Sequence, residues 1–363
     1  MSNSLGRLFT ITTFGESHGR CVGVVIDGCP SGLAISEEDV QADMDQRRPG
    51  SGPASTTRSE ADRVEALSGV YAGHTTGAPI CMLVWNRDVD SSQYIKNRFL
   101  PRPGHADFTA YTKYGGFNDF RGGGQFSGRT TAAFVMAGAI ARKVLAVVGV
   151  EVLAHTVAIG GIRAQPGAPG QVRAASETSP LRCADPVAAE KMLEAIEQAR
   201  AGGDSLGGVI EGLALNVPAG LGEPVFDTLE GDLAKAMFAI PAVKGVEFGS
   251  GFSAADKRGS ENNDPFAIAD GRIVTLTNNA GGILGGIATG MPVVVRVAVK
   301  PTPSISREQD TVDMQKMAPA TLATGGRHDA CIVPRAVPVV EAMMAVTLCD
   351  FALRAGIIPE VIT

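Results

Sequence analysis

The 363-residue chain has only five histidines and six cysteines, with no C-x-x-C pair and no spacing suited to zinc. A metal site is therefore not expected. Cys21, Cys29, Cys81, Cys183, Cys331 and Cys349 fall partly in apolar runs and read as reduced core thiols of a cytoplasmic protein. No run of Lys or Arg forms an electrostatic footprint, and 32 basic against 38 acidic residues leave a net charge of −6, so a nucleic-acid partner is excluded. The N-terminus lacks the basic, apolar, small-residue order of a secretory signal, and no uninterrupted apolar stretch is long enough to span a bilayer. Cytoplasmic localisation without a membrane partner is the expectation. The absence of G-x-x-x-x-G-K-[ST] argues against an ordinary kinase or NTPase. No unambiguous linker divides the chain, so a single domain over 1–363 is expected, although the length also allows two halves.

What the chain has in excess is glycine, 45 residues of it, which implies tight turns and places where backbone approaches a ligand. Three of the histidines sit in such places: Gly15-Glu16-Ser17-His18-Gly19, Arg102-Pro103-Gly104-His105-Ala106-Asp107 and Arg327-His328-Asp329. An imidazole in a loop can cap a turn, but its ordinary pKa near neutrality suits it to proton transfer. Three such clusters together favour catalysis at a site assembled from loops. Arg47, Arg48, Arg102, Arg129 and Arg327 all stand beside glycine or proline and point to a small anionic ligand.

The pattern predicts strands at Leu8–Phe14 and Val22–Asp27, then a helix from the Ser36/Asp39 capping box to about Arg47, stopped by Pro49-Gly50. Further strands are expected at Val64–Val70, Pro79–Asn86, Val152–Ile162 and Val209–Val217, and helices at Ala106–Tyr114, Pro186–Ala201 and Leu229–Phe238. Gln165–Gln171 reads as an exposed loop. Arg129–Val148 and Val337–Ala355 are apolar nearly all round, which places them inside the fold. Each follows a Gly/Arg-rich hinge, Gly122–Gly128 and Gly325-Gly326-Arg327. Pro30-Ser31-Gly32-Leu33 is echoed by Pro218-Ala219-Gly220-Leu221, so an internal pseudo-duplication is inferred. The expected class is α+β: a β-α-β sandwich with long apolar helices enclosed between antiparallel sheets.

Gly15-x-Ser17-x-Gly19 matches the nucleophile elbow of serine hydrolases, yet an elbow needs strand, turn and helix, and Arg20–Asp27 continues as strand. A hydrolase using Ser17 is kept as the less favoured alternative. Gly249-Ser250-Gly251-Phe252-Ser253-Ala254 fits the dinucleotide fingerprint loosely, without convincing βαβ flanks. Gly281-Gly282-Ile283-Leu284-Gly285-Gly286, followed by Lys300-Pro301-Thr302-Pro303-Ser304, is either a tight structural turn or backbone laid against a planar phosphorylated ligand.

Taken in order, these motifs resemble the chorismate synthase family over nearly the whole chain. The matching segments are FGESHG at 14–19, RRPG at 47–50, RPGHAD at 102–107, FRGGG at 120–124, AGAIA at 137–141, GLGEPVFD at 220–227, AVKGVEFG at 242–249, NAGGILGG at 279–286, KPT at 300–302 and GRHD at 326–329. The resemblance implies a lyase of aromatic amino-acid biosynthesis. Its reaction is the anti-1,4-elimination of phosphate from 5-enolpyruvylshikimate 3-phosphate to give chorismate, using reduced FMN without net redox change, in a homotetramer. By the same resemblance His18 would be the acid near the departing phosphate, His105 would protonate or stabilise the reduced flavin, and Asp329 would assist proton removal through it. Arg47, Arg102 and Arg129 would bind substrate; Ser127, Ala242, Gly285, Lys300, Thr302, Ser304 and Arg327 match flavin-contact positions.

The chain departs from the common bacterial pattern at Pro53, which stands for an arginine, at Gln125 and Phe126, and at Pro303, which stands for a serine. Phe126 is expected to add an apolar wall beside the flavin, and Pro53 to weaken part of the anion clamp. A catalytically impaired FMN-binding paralogue is therefore the other alternative. Some family members carry an NADPH-dependent flavin reductase activity. With no large insertion here, an external reductase or cellular reductant is expected to supply reduced FMN.

Overall fold

A computed structural model describes residues 3–48, 61–325 and 329–363. Pro49, Gly50, Pro53, Arg327 and His328 lie outside them. The chain starts with β1 (Ser4–Leu5), β2 (Thr10–Gly15), β3 (Cys21–Asp27), α1 (Glu37–Arg47), β4 (Glu65–Ser68), β5 (Val70–Tyr71), β6 (His74–Thr75) and β7 (Ile80–Trp85). Short helices α2 (Ser92–Lys96) and α3 (Asp107–Lys113) precede a glycine-rich 3-10 turn and the long helix α4 (Thr131–Ala146). Next come β8 (Glu151–Ile159), β9 (Ile162–Arg163), α5 (Pro169–Thr178), α6 (Pro186–Ala201), β10 (Gly208–Leu215), α7 (Leu229–Phe238) and β11 (Val243–Phe248). The last stretch holds α8 (Gly259–Asn262), hairpins β12 (Phe266–Ala269)/β13 (Arg272–Thr275) and β14 (Ile283–Leu284)/β15 (Ile287–Ala288), then β16 (Val293–Val299), hairpin β17 (Gln309–Asp313)/β18 (Ala318–Leu322) and α9 (Val333–Arg354). Helices and antiparallel sheets are both present, an α+β chain.

Two five-stranded sheets dominate, in the orders β1-β2-β3-β7-β4 and β11-β16-β10-β8-β9. In the first, Val22, Val24 and Ile26 stand opposite Val84, Met82 and Ile80, and all six are buried. Alternation thus gives this sheet one apolar face, and α4 packs against its strand β3. In the second, Ile210, Gly212 and Ala214 pair with Val297, Val295 and Val293, and α9 lies on β8 and β10. The two long helices then pack on each other.

Twelve of the sixteen residues of α4 and nineteen of the twenty-two of α9 are buried, which explains why neither shows a polar face. Among the described residues α9 alone is long and apolar enough by length and composition to cross a membrane, although charged residues interrupt it. It is a core helix, since 94% of its apolar window lies inside the fold. Two carboxylates interrupt it. Asp350 accepts the backbone N–H groups of Arg7, Leu8 and Phe9 at 2.8, 2.7 and 3.0 Å. Glu341 accepts the N–H of Ala154 at 2.8 Å and lies 3.6 Å from Arg142. Burial is the largest influence on Glu341 and raises its carboxyl above the ordinary range, only partly offset by Arg142.

Several sequence expectations need correction. The strand expected over Val64–Val70 ends at Ser68, and that over Val152–Ile162 ends at Ile159, where Gly160-Gly161 turns the chain into β9. Gln165–Gln171 is not all loop: α5 starts at Pro169, its ring tolerated in the first turn, and the Gln171 side chain accepts the Ala168 N–H at 3.0 Å. The C-terminal helix starts at Val333 rather than Val337, with Pro334 in its first turn. The six cysteines are free; Cys29, Cys183, Cys331 and Cys349 are buried, whereas Cys21 and Cys81 are half-buried.

A Cβ on Gly138 of α4 would overlap the Cβ of Ala342 in α9, so this glycine sets the distance between the helices. Gly138→Ala should destabilise the fold by about 1–3 kcal/mol in denaturant melts through overpacking; an unchanged midpoint would contradict the close approach. Glu341→Gln tests the buried carboxyl. A carboxyl raised in the folded state favours that state at low pH and loses the advantage as pH climbs above its ordinary value of 4.5. The glutamine variant should therefore gain stability relative to the parent as pH rises above 4.5, and a difference that does not change with pH would refute the assignment.

Candidate active site

The β2–β3 connection carries Gly15–Gly19, and Asn86 fixes its shape by donating from Nδ2 to the carbonyls of Glu16 and Gly19 at 3.0 and 2.9 Å. This places the His18 Nδ1 atom 2.8 Å from Ser91 Oγ and the ring edge-on to Tyr94, with centroids 5.2 Å apart. β2 and β3 form an antiparallel hairpin. No helix follows the turn, so the elbow geometry that a Ser17 nucleophile needs is missing.

His105 sits on the loop leading into α3. Its Nδ1 lies 2.7 Å from Asp107 Oδ1. The same carboxylate receives the backbone N–H of Arg102 at 3.0 Å, its Nε–H at 2.8 Å and its Nη2–H at 2.8 Å. Arg102 also donates from Nη1 to Ser304 Oγ at 3.2 Å, joining this loop to the segment after β16. Lys300 adds a second tie, donating from Nζ to the Gly104 carbonyl.

The two histidines meet at one glycine turn. Gly122 and Gly123 have φ of +59° and +84°, a left-handed region that costs other residues about 1–2 kcal/mol each. An ideal Cβ on Gly122 would stand 2.6 Å from His18 Nε2 and 2.8 Å from Ser17 Oγ, and one on Gly123 would stand 2.9 Å from His105 Cε1. Both the dihedrals and the space therefore require glycine.

Arg47 and Arg129 flank Asp62, whose side chain is almost wholly buried. Arg47 donates from Nε to Thr131 Oγ1 and from Nη2 to the Gly128 carbonyl, both at 2.9 Å. Arg129 donates from Nε to Asn86 Oδ1 at 2.8 Å and from Nη1 to Asp62. These guanidiniums are held by the protein's own acceptors, and Asp62 also occupies a left-handed backbone conformation, φ +46°. Asp329 is bonded to Nη1 of Arg335 in the first turn of α9.

His18, His105, Asp329, Ser127, Ala242, Lys300, Thr302, Ser304, Arg47, Arg102 and Arg129 all line a single cleft of about 1410 Å³. Gly285, in the β14–β15 turn, is not among the residues lining it. Arg327 lies outside the described residues. Sequence reasoning missed Lys113, Lys235, Lys244 and Arg335, cations that share the cleft, and Asp62. Lys244 was within reach of the sequence, since it falls inside the AVKGVEFG segment; Asp62 carried no local signal. Burial chiefly, and then Lys244, pushes the Lys300 amine below its ordinary value. Eight Lys and Arg side chains against five carboxylates line the cleft, an excess of positive charge suited to an anionic ligand. Thr302 Oγ1 is buried without a hydrogen-bond partner, and Phe126 lines the wall beside Tyr114, with centroids 6.4 Å apart. A large cleft with a cationic rim, one apolar wall and a waiting hydroxyl fits a flat phosphorylated cofactor beside a second anion.

The glycine turn can be tested before any assay. Gly122→Ala should shift the NMR resonances of the His18 ring while leaving those of His105 nearly in place, and Gly123→Ala should do the converse. Each should also lower stability by about 1–2 kcal/mol. Histidine spectra identical to the parent's in both variants would dismiss the contact.

Comparison with known proteins identifies the family. The family model described as chorismate synthase matches residues 9–353. The chain is 59% identical to a chorismate synthase of Dehalococcoides mccartyi over 362 residues, covering 100% of both chains. It is 55% identical to one from Korarchaeum cryptofilum over 350 residues, 96% of this chain and 97% of that one. A solved structure, "Crystal Structure of Chorismate Synthase", superposes with a TM-score of 0.77 at 32% identity, covering 96% of this chain and 93% of the other. With these matches running through the residues that line the cleft, the chain belongs to the chorismate synthase family.

Proposed function

We propose that this protein is a carbon–oxygen lyase that eliminates phosphate from 5-enolpyruvylshikimate 3-phosphate to form chorismate in aromatic amino-acid biosynthesis. The observation that carries the reading is the convergence of His18, His105, Asp329 and the arginines on one cationic cleft in a chain of this family. A flavin is the cofactor that family membership implies, and we take it to be FMN in its reduced form. When bound, reduced FMN supplies electron density as phosphate leaves and recovers it as the hydrogen departs, so the reaction has no net redox change.

The chain's own residues supply binding and proton control. Lys300, Thr302 and Ser304, with Ser127, Ala242 and Arg327, would hold the flavin and its phosphate, and Phe126 gives it an apolar wall. Gly285, outside the cleft of this chain, has no contact to offer within it. Arg102 presents a charged fork beside Ser304; charge-assisted bonds of this kind contribute roughly 1.5–3 kcal/mol each. Arg47 and Arg129, tied to Asp62, Thr131 and Asn86, act chiefly as a fixed positive floor under the anionic substrate. His18, whose Nδ1 meets a hydroxyl that can donate or accept, is suited to protonate the departing phosphate. His105 holds a proton near the flavin, and Asp329, oriented by Arg335, assists departure of the substrate proton.

The finer architecture belongs to the same reading: a single domain over 1–363, a β-α-β sandwich enclosing α4 and α9, with an internal pseudo-duplication. One apolar cluster that includes residues of both sheets and both long helices supports it. We also take the protein to be a cytoplasmic homotetramer supplied with reduced flavin from outside.

Anaerobic incubation with the substrate and reduced FMN should release phosphate and chorismate in equal amounts. Tight FMN binding with no product would instead identify an impaired paralogue, the role that Gln125 and Pro303 in the cleft wall could support. His18→Ala and His105→Ala should each lower turnover by about 10-fold or more, and Asp329→Asn should slow the step that breaks the C–H bond. Undiminished rates in all three variants would remove these side chains from the mechanism. NADPH oxidation by the isolated protein with FMN would overturn the external supply of reductant.

A further inference from the structure

Asp107 is the acceptor at the centre of the Arg102–His105 loop. Its Oδ2 receives the backbone N–H and Nε–H of Arg102 at 3.0 and 2.8 Å, and its Oδ1 receives Arg102 Nη2–H at 2.8 Å and faces His105 Nδ1 at 2.7 Å. Burial pushes this carboxyl up, and the bonds from Arg102 and His105 outweigh it, leaving it well below the usual carboxylate range. An ionised carboxylate only accepts hydrogen bonds, so the ring nitrogen facing it must carry a proton. The other nitrogen, Nε2, lies on the Gly123 side, where a Cβ would come within 3.1 Å of it. Arg102 Nη2 lies 3.1 Å from Nδ1 and 3.3 Å from Nε2 and can only donate, so with the Nδ1 proton given to Asp107 it serves Nε2. Lys300 bonds the Gly104 carbonyl, and Tyr94 lies under the Arg102 guanidinium, whose carbon is 5.4 Å from the ring centroid.

We propose that Asp107 is a positioning residue that locks His105 with its proton on Nδ1 and leaves Nε2, beside Arg102 Nη2, as the working nitrogen, while holding Arg102 in register. Through this one carboxylate an orientation is fixed for a proton-handling ring and for an anion-binding fork at once, the second-layer support that a histidine base or acid needs to keep one tautomer. The inference rests on the cleft being the reaction site, but the tautomer itself is measurable without substrate or flavin.

Asp107→Asn gives a sharp outcome. The amide has one oxygen for two acceptor roles, and the Oδ2 side already serves two Arg102 donors. The oxygen should take that side and turn the NH₂ group toward His105, which inverts the ring to the Nε2–H form. Histidine-selective ¹⁵N labelling, with five histidines in the chain and assignment by His105→Gln, reads the tautomer from the ring nitrogen shifts. The expected result is Nδ1–H in the parent, Nε2–H in Asp107→Asn, and turnover lowered by about 10-fold or more in the variant, in line with the loss of a positioned acid–base group. Finding Nε2–H in the parent, an unaltered tautomer in the variant, or full turnover despite an inverted ring each overturns the proposal. If Asp107→Asn does not accumulate as folded protein, the parent spectrum alone decides. A chain that binds no substrate yet shows the tautomer switch would fail the proposed function and leave the Asp107–His105 geometry standing.

Discussion

The site depends on a steric constraint, the contact of two imidazoles with two adjacent residues that have no side chains. His18 arrives on a hairpin of the first sheet and His105 on the loop before α3, and nothing in the local sequence of either specifies the other. Gly122 and Gly123 lie against both. Their left-handed backbone also lets the chain turn from the Phe120–Arg121 segment into the start of α4, so the turn that brings the histidines together is the turn that launches the central helix. Geometry at the site and packing at the core are coupled through it.

The core tolerates that coupling because the two carboxylates of its central helix are paired. Asp350 and Glu341 interrupt an otherwise apolar α9, and each takes backbone N–H groups from a different sheet: Asp350 from the residues that lead into β2, Glu341 from β8. A buried carboxylate without such donors would cost several kcal/mol. Here the two act as fixed attachment points that set where each sheet sits on the shared helix. The Arg47–Asp62–Arg129 group does the same for the cleft floor, with one carboxylate between two guanidiniums that would otherwise repel.

Much of this was legible in the residues. The Ser36/Asp39 capping box marks the start of α1 and forms as written; α6 and α7 have the expected ends because Asp185 and Thr228 cap them and the apolar period is clean. Histidines and arginines beside glycine identified the cleft, since loops that avoid ordinary packing reasons for such residues are where ligands bind. What stayed hidden has physical causes. α5 is hidden because Pro169 and Gly170 resemble loop composition, although proline is welcome in a first helical turn. The β17–β18 hairpin is too polar to show a core-facing alternation. Asp62 and Arg335 act through partners distant in sequence, and no single segment carries that information. Gly285 shows the converse: its motif is distinctive, but the fold of one chain places it away from the cleft its segment suggested.

The carboxylate of Asp350 reaches the Phe9 N–H across 341 positions of sequence, and Ile362 donates to the Ser31 carbonyl at 2.8 Å nearby. The hairpin that carries His18 is thus moored to a helix translated long after it. On the ribosome it is the second sheet, whose β8 and β10 α9 covers, that must wait with that face open until the helix is available, and only then is the lead into β2 tied to Asp350. Such long-range closure makes folding slow and leaves strand surface open to wrong partners in the interval, so in the cell the maturation of this enzyme is governed by when its far segment arrives rather than by how fast its early strands pair.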